Sequence, residues 1–191
     1  MEKNNRINQI INTIFEEARK YNWGFILIRK NEFHWFINYL LEKFKKIRVL
    51  EIGAWRCFMR AYLHDNFGRD RIEYVGIDVV DPEIQGLERD KDAKFYVMNP
   101  ESMFFPSETF HGVLIIETLE RTINYVQVLR EVYRVLIPGG GVFIQSQTCN
   151  TQDETHYHVL HAVTLSRLLK YLGFKDVGYV DMPNFAVWGF K

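Results

Sequence analysis

Polar side chains that can bind a ligand follow short apolar segments at four places in this 191-residue chain. Glu51 lies near the end of the first segment, Asp78 ends the second, and Asn99 and Glu117 follow the next two. A carboxylate accepts hydrogen bonds from two hydroxyl groups, and an amide side chain keeps one carbonyl acceptor. In open α/β sheets, ligands bind beyond the carboxyl ends of the parallel strands. The pattern therefore predicts a ligand site to which these four side chains contribute.

The elements that must position these residues are short strands alternating with helices. The predicted strands are Arg48–Ile52, Glu73–Asp78, Lys94–Met98, Gly112–Ile116 and Val142–Gln145, followed by Lys175–Asp181 and Phe185–Phe190. Such alternation is typical of an α/β fold whose parallel sheet is covered on both faces. The last two strands, joined by a tight turn at Met182-Pro183-Asn184, add an antiparallel edge.

Apolar residues at helical spacing predict five helices. They are residues 7–18, a helix from Asn31 to about Phe44, Phe58–Phe67, Asn124–Leu136, and a last helix capped by Thr164 and closed by Gly173. Residues 138–141, a Pro-Gly-Gly-Gly run, end the fourth helix before the fifth strand. We interpret residues 1–191 as a single domain. Residues 1–46 form N-terminal helices that pack over or beside the cleft, and residues 47–191 form the core.

Composition limits the classes of function. The chain has 24 Lys and Arg against 24 Asp and Glu, so its formal net charge is zero. Neutrality argues against a nucleic-acid partner, which requires a basic surplus on the bound face. No apolar run approaches the roughly 20 residues of a membrane helix, and the polar N-terminus does not resemble a signal peptide. Cys57 and Cys149 are interpreted as reduced thiols, which indicates a cytoplasmic protein. The sequence leaves open whether the chain forms a homodimer.

Four stretches together resemble a known family. They are Val49-Leu50-Glu51-Ile52-Gly53, Tyr74-Val75-Gly76-Ile77-Asp78, Phe110–Glu120, and Leu129–Gly140 with its helix followed by Pro-Gly-Gly. These motifs resemble those of the class I S-adenosylmethionine (SAM)-dependent methyltransferases of the small-molecule, methyltransferase-11-like type. The resemblance runs from about Ile47 to the C-terminus. It implies a Rossmann-like fold with a seven-stranded, mostly parallel sheet in the order 3-2-1-4-5-7-6 and an antiparallel seventh strand.

The resemblance also implies a cofactor, SAM, and a set of cofactor-binding residues. They are Glu51, Gly53, Ala54, Asp78, Val79, Asn99, Pro100 and Glu117. Asp78 would accept the ribose hydroxyls, although an acid here could instead open the turn at Asp81-Pro82. Asn99 would contact the adenine amine, or serve only as a turn residue before Pro100. Glu117 would lie near the methionine end of the cofactor, or be an ordinary acid at the end of a strand.

The first loop departs from the family pattern, which carries two further glycines. Trp55 stands at the second glycine position and Cys57 at the third. An active enzyme requires the Trp55 indole to point away from the cofactor, whereas an indole in the cleft would indicate a non-catalytic binding or assembly protein. Arg56 could pair with the cofactor carboxylate or lie in solvent. The expectation is an active enzyme that transfers a methyl group from SAM to an unidentified acceptor, in preference a small molecule.

Histidines, acids and aromatic residues outside these motifs could also contribute to a site. His156 and His158 are weak candidates for a general base, because the loop after the fifth strand can face the substrate. The same histidines cluster with Asp153, Glu154 and His161, but their spacing matches no zinc signature, so we expect no metal. The aromatic residues Trp23, Phe25, Phe33, Trp35 and Phe36 fit either a substrate lid or a helix packed on the core. A nucleotide-dependent oxidoreductase is disfavoured because no G-x-G-x-x-G follows the first strand.

Overall fold

A twisted seven-stranded sheet forms the centre of the computed structural model, which describes residues 29–147, 154–181 and 184–191. The strands are β1 (Ile47–Ile52), β2 (Ile72–Asp78), β3 (Lys94–Val97), β4 (Phe110–Ile116), β5 (Leu136–Gln147), β6 (Lys175–Val180) and β7 (Asn184–Phe190). Their order is β3-β2-β1-β4-β5-β7-β6, and β7 pairs antiparallel with both β5 and β6. The predicted fold class and strand order are confirmed.

Four α-helices flank the sheet in the described residues. They are α1 (Lys30–Phe44), α2 (Met59–Phe67), α3 (Tyr125–Val135) and α4 (Ala162–Tyr171). Three short 3₁₀ turns lie at Arg69–Arg71, Pro82–Gln85 and Leu119–Arg121. The predicted helix over residues 7–18, together with Trp23, Phe25, Cys149, Asp153 and the turn residues Met182 and Pro183, lies outside the described residues. Within the part of the chain that is described, no helix has both the length and the apolar character needed to span a membrane.

The apolar core has two layers, one on each face of the sheet. One layer joins α3 and α4 to the sheet through residues such as Val128, Leu129 and Leu165. The other joins α1 and α2, and in it Phe33 and Phe36 are fully buried against Phe143. These two aromatic residues are therefore part of the core rather than a lid. Trp35 is 47% exposed and packs against Trp188 at the surface.

The fifth strand begins earlier than predicted. The Pro-Gly-Gly-Gly run does not separate helix from strand, because β5 starts at Leu136, directly after α3. Leu136 pairs with Phe110 and Gly141 pairs with Gly112, so the residues between form a bulge in the strand. Gly139 has a φ of +78° there, and its N–H donates to the Lys191 carbonyl at 2.7 Å. The bulge is thus held by Lys191, the residue after β7, a contact that local sequence does not reveal.

The predicted cap of the last helix is also wrong. Helix α4 begins at Ala162, and its N-cap residue His161 makes no side-chain cap hydrogen bond, so Thr164 lies inside the first turn. Ala162 is fully buried, which indicates that packing decides where this helix starts. Helix α3, by contrast, has a side-chain cap. The Asn124 side-chain oxygen accepts the Gln127 N–H at 3.1 Å.

Candidate functional site

A cleft of about 610 Å³ lies at the carboxyl ends of β1, β2 and β4. Its walls come from the loop after β1, from residues 78–80, from Pro100, and from the turn that follows β4. This volume lies within the usual range for small-molecule sites. The cleft sits where strand order reverses between β1 and β4, which is the position that open α/β sheets use for ligands.

Asp78 is held at the cleft by two backbone groups. Its Oδ2 accepts the N–H of Trp55 at 2.9 Å, and its Oδ1 accepts the N–H of Val79 at 2.7 Å. Each carboxylate oxygen has two lone pairs, so each keeps one for a ligand donor. The carboxylate is therefore oriented by the protein and still able to accept two hydroxyl groups. Val79 beside it is 61% exposed.

Gly53 allows the first loop to approach the turn after β4. The N–H groups of Gly53 and Ala54 both donate to the Ile77 carbonyl at 2.9 Å. Gly53 has a φ of +75°, and a Cβ placed on it would overlap the side chain of Thr118. Glycine is required here both by conformation and by space.

The loop after β1 has a backbone conformation typical of glycine at two positions that carry other residues. Trp55 has a φ of +43° and Cys57 a φ of +61°, both in the left-handed region. Trp55 is 38% exposed and is one of the residues that line the cleft. Arg56 also lines the cleft, but its guanidinium lies on the Phe58 ring and donates to the Glu88 carbonyl.

Glu51 forms the floor of the cleft and is only 3% exposed. The Tyr74 hydroxyl donates to its Oε2, and burial raises the pKa of Glu51 to about 8. Gly76, which pairs with Glu51 across β1 and β2, leaves room for this contact, since a Cβ there would lie 3.1 Å from the Tyr74 hydroxyl and 2.8 Å from the Cys57 sulfur. Cys57 is fully buried, and burial raises its pKa to about 12.

Glu117 follows β4 and lines the opposite wall. Its Oε1 accepts the Gln145 side-chain N–H at 3.1 Å, and Gln145 in turn accepts the backbone N–H of Arg29 at 3.1 Å. Its Oε2 is enclosed and has no hydrogen-bond partner. Burial, with a further contribution from the Glu120 charge, raises the pKa of Glu117 to about 7. A polar chain thus links the beginning of α1 to the cleft.

Of the two remaining predicted cofactor residues, one lines the cleft and the other does not. Pro100 is buried and contributes to the cleft wall. Asn99 is exposed and not part of that wall, and its side-chain oxygen accepts the Glu101 N–H at 2.9 Å. This is the turn geometry that the sequence left open as the alternative.

The two candidate bases occupy different surroundings. His158 packs edge-on against Tyr125, and its Nε2 lies 3.1 Å from the Ile123 carbonyl. His156 lies beside the buried Glu120 carboxylate, whose pKa burial raises and the His156 charge partly lowers. Of the two, only His156 adjoins an acid of the turn after β4.

Sequence reasoning missed several residues of the site. Tyr74 holds Glu51, and the wall near Glu117 is completed by Thr118, Thr122, Arg121 and Thr155, with Arg121 donating to the Thr155 hydroxyl. The sequence could have indicated Tyr74 as a site residue, because the alternation of side chains along a β-strand puts it on the same face of β2 as Gly76 and Asp78. Thr155 carried no such signal, since it lies in a loop.

Comparison with known proteins agrees with this geometry. The sequence model described as "Methyltransferase domain" matches residues 50–144. A SAM-dependent methyltransferase structure from Archaeoglobus fulgidus superposes with a TM-score of 0.68 at 18% identity, covering 93% of this chain and 99% of that one. One from Aquifex aeolicus gives a TM-score of 0.59 at 18% identity, covering 75% and 81%.

The CurJ carbon methyltransferase gives a TM-score of 0.61 at 17% identity, covering 76% of this chain and 48% of that one. No curated protein matches the chain by sequence. The sheet order, the cleft and the matched domain together define a Rossmann-like methyltransferase fold. Residues 50–144 match the methyltransferase domain family, and the described part of the chain has the fold of the class I SAM-dependent methyltransferases.

Proposed function

We propose that this protein binds SAM in the cleft and transfers its methyl group to a small-molecule acceptor. The observation that carries the proposal is the Asp78 carboxylate, which two backbone N–H groups orient toward the cleft while leaving a lone pair on each oxygen. A ribose offers two adjacent hydroxyl groups that fit this acceptor. The match to the methyltransferase domain family supports the same ligand.

The residues around the cleft fit the other parts of the cofactor. Val79 and Pro100 offer apolar surface beyond Asp78 for the adenine, and the Gly53-Ala54 backbone offers close approach for the methionine part. SAM supplies an electrophilic methyl group on its sulfonium. The protein then has to hold the acceptor in line with that methyl and keep water out.

We place the acceptor beside Arg121 and Thr155, at the end of the cleft next to the turn after β4. His156 is the stronger of the two candidate bases, because it adjoins Glu120 while His158 is packed on Tyr125. In this role its imidazole would take the proton that the acceptor atom loses. The zero net charge of the chain favours a small molecule over a nucleic acid.

Calorimetric titration with SAM and with its demethylated product, S-adenosylhomocysteine (SAH), tests the proposal. We expect micromolar binding by the wild type and a loss of roughly tenfold or more in Asp78→Ala, because charged hydrogen bonds are removed. Asp70→Ala is the matched control, since Asp70 is an exposed acid just before the other end of β2. Equal affinities for the two variants would remove Asp78 from the site.

The alternative is a non-catalytic protein of the same fold, and Trp55 at a glycine position is the observation that favours it. In that case folded wild type would bind neither SAM nor SAH, and Trp55→Gly would restore binding. The cleft keeps a volume of about 610 Å³ although Trp55 lines it, and this favours the enzyme. We therefore expect Trp55→Gly to change SAM affinity by less than roughly tenfold, which is about 1.4 kcal/mol.

A further inference from the structure

Strand β3 forms one edge of the sheet and is the most exposed of the parallel strands. Three of its four residues are exposed, whereas β1 and β4 are buried along most of their length. In the described chain no α-helix lies between β2 and β3 or between β3 and β4. Strand β3 therefore lacks the helical cover that buries the other parallel strands.

The outer edge of β3 carries backbone groups that are not used in the sheet. The Met98 N–H donates to the Asp78 carbonyl at 2.8 Å, so it points toward β2. Because the backbone groups of successive strand residues point to opposite edges, those of Phe95 and Val97 point away from β2. No described strand or loop pairs with them. Such an edge is a template for pairing with another strand.

One face of β3 adds exposed aromatic surface to this edge. Tyr96 is 46% exposed on this face, and its ring packs edge-on against Phe105 with the centroids 5.8 Å apart. Phe104, the neighbour of Phe105, is 84% exposed and does not line the cleft. The cofactor site therefore gives no reason for its exposure.

The other face of β3 adds exposed aliphatic surface. It carries Phe95 and Val97, and Val97 is 55% exposed. The Arg89 guanidinium lies over the Phe95 ring and pairs with Glu83, and the next residue, Ile84, is 83% exposed. Apolar side chains are thus exposed on both faces beside the unpaired edge. Exposed apolar patches on soluble proteins mark interaction surfaces.

The opposite edge of the sheet is protected from such pairing. Strand β6 begins with two exposed charged residues, Lys175 and Asp176, and its pairing with β7 is irregular between Lys175 and Gly178. Charges and bulges of this kind prevent edge strands from pairing with other chains. Strand β3 pairs with β2 in a continuous register and carries one charged residue, Lys94. The two edges therefore differ in their capacity to accept a further strand.

We propose that β3 is a dimer interface, at which it pairs antiparallel with β3 of a second copy of this chain. A two-fold axis beside Tyr96 places Phe95 of each copy opposite Val97 of the other. The outward N–H and C=O groups of both residues then form hydrogen bonds, and the two Tyr96 side chains meet as a non-hydrogen-bonded pair. The two seven-stranded sheets become one continuous sheet.

A second copy fits this edge because the register is self-complementary. It pairs Phe95 with Val97 and Tyr96 with Tyr96, and aromatic and β-branched side chains are favourable cross-strand partners. Lys94 lies opposite Met98 and so meets no like charge across the axis. The exposed side chains on both faces enlarge the contact toward the roughly 800 Å² that a standard interface buries on each partner. Two-fold dimers are also the commonest soluble oligomers.

Sedimentation equilibrium of the full chain measures the dimer. We expect twice the monomer mass for the wild type at about 200 µM, with dissociation on dilution. Val97→Pro removes an outward N–H but no hydrogen bond to β2, and it should raise the dimer Kd by roughly tenfold or more. Phe104→Ser should also weaken the dimer. Tyr171→Ser is the matched control, because Tyr171 is 83% exposed on α4, and it should leave the dimer unchanged.

Disulfide trapping tests the register itself. In a Cys149→Ser background, Tyr96→Cys places two thiols at a non-hydrogen-bonded pair, where the Cα–Cα separation is about 4.5 Å and permits a disulfide. We expect mild oxidation to link this variant into a covalent dimer. Tyr179→Cys, on β6, is the control, since Tyr179 is also 46% exposed, and it should stay unlinked. The midpoint of thermal unfolding verifies that each variant is folded.

The outcomes separate this interface from its alternatives. A wild type that is monomeric at about 200 µM overturns the proposal and leaves the edge to a strand of another protein. A dimer that survives in folded Val97→Pro and Phe104→Ser also overturns it, because the interface then lies elsewhere. If Val97→Pro does not fold, the comparison of Tyr96→Cys with Tyr179→Cys decides, and equal linking of the two contradicts the proposed pairing.

Discussion

The backbone of the loop after β1 is left-handed at Gly53, Trp55 and Cys57, and only the first of these is a glycine. A left-handed conformation costs a residue with a Cβ about 1–2 kcal/mol. The loop keeps this shape because its N–H groups donate to two acceptors at the end of β2, the Ile77 carbonyl and the Asp78 carboxylate. Conformation at these positions is thus imposed by the fold rather than by the residue type.

Gly53 is required both for its positive φ and for the space that a Cβ would occupy, and comparing Gly53→Ala with Gly86→Ala separates the two requirements. We expect Gly53→Ala to weaken SAM binding strongly and to lower stability by more than about 1–2 kcal/mol, because the new Cβ meets Thr118 as well as an unfavourable φ. Gly86→Ala is the control, since Gly86 has nearly the same φ, +73°, but open space around it. Calorimetry and urea denaturation measure the two effects. Similar losses in both variants would show that the contact with Thr118 is unimportant.

Cys57 is expected to be chemically inert despite its place in the cofactor loop. Its thiol is fully buried and burial raises its pKa to about 12, so almost no reactive thiolate exists at pH 8. In a Cys149→Ser background, a thiol reagent should label native protein far more slowly than protein in guanidinium chloride. Rapid labelling of the native protein would mean that the loop opens readily.

Helix α3 begins at a side-chain cap, whereas α4 does not. Asn124→Ala should lower the free energy of unfolding by about 1 kcal/mol, because the Gln127 N–H loses its acceptor. Thr164→Ala should change it by less than about 0.5 kcal/mol, since this exposed residue lies within the first turn of α4. Urea denaturation of the two variants gives the comparison. A larger loss in Thr164→Ala would restore it as a capping residue.

Side chains of α3 also hold the segment that precedes β4. Arg134 donates to the carbonyl groups of Met103 and Phe105 and forms an ion pair with Glu131, which accepts the Met103 N–H. The segment between β3 and β4 has little secondary structure of its own. Its backbone groups are therefore satisfied by one helix face, which holds the chain beside Pro100 in the cleft wall.

Most of the fold follows from the sequence because its strands are short, apolar and bounded by turn residues or acids. Gly112–Ile116 has the composition of a strand buried on both faces, and the structure buries it completely. The order of the strands came from the motifs, since periodicity alone fixes no neighbours. The bulge in β5 was not predictable, because its geometry depends on Lys191, which is distant in sequence.

The sequence predicted which acids belong to the candidate site but not their protonation states. Glu51, Asp78 and Glu117 were located as strand-end acids, and the structure brings all three to one cleft. The protonation states of Glu51 and Glu117 could not be predicted from the sequence, because they depend on burial and on partners such as Tyr74 and Gln145 that lie across the sheet. Asn99 shows a different case, since its type suggested a ligand contact and the structure shows its side-chain oxygen accepting the Glu101 N–H in a turn.

Buried acids should give the whole molecule an unusual dependence of stability on pH. The pKa of Glu51 is about 8 in the folded protein and about 4.3 in an unfolded chain, so the folded state holds the extra proton between these values. Stability must then fall as the pH rises through this range. His64 and His111, whose pKa values burial lowers, act in the opposite direction, but only at pH values below about 6.5.

The buried carboxylic acids dominate the interval from pH 7 to pH 8, because the Cys57 thiol, whose pKa burial also raises, ionises in the unfolded chain mainly above pH 8. We expect the free energy of unfolding to fall by about 1 kcal/mol across it, against a limit of about 1.4 kcal/mol per pH unit for one proton. Glu51→Gln should remove most of this decrease, because the amide keeps an acceptor for Tyr74 but does not ionise. Glu42→Gln, an exposed change on α1, should leave it intact. Urea denaturation at the two pH values measures both variants, and a wild-type stability that is flat or rising would show that Glu51 is already ionised in the folded protein.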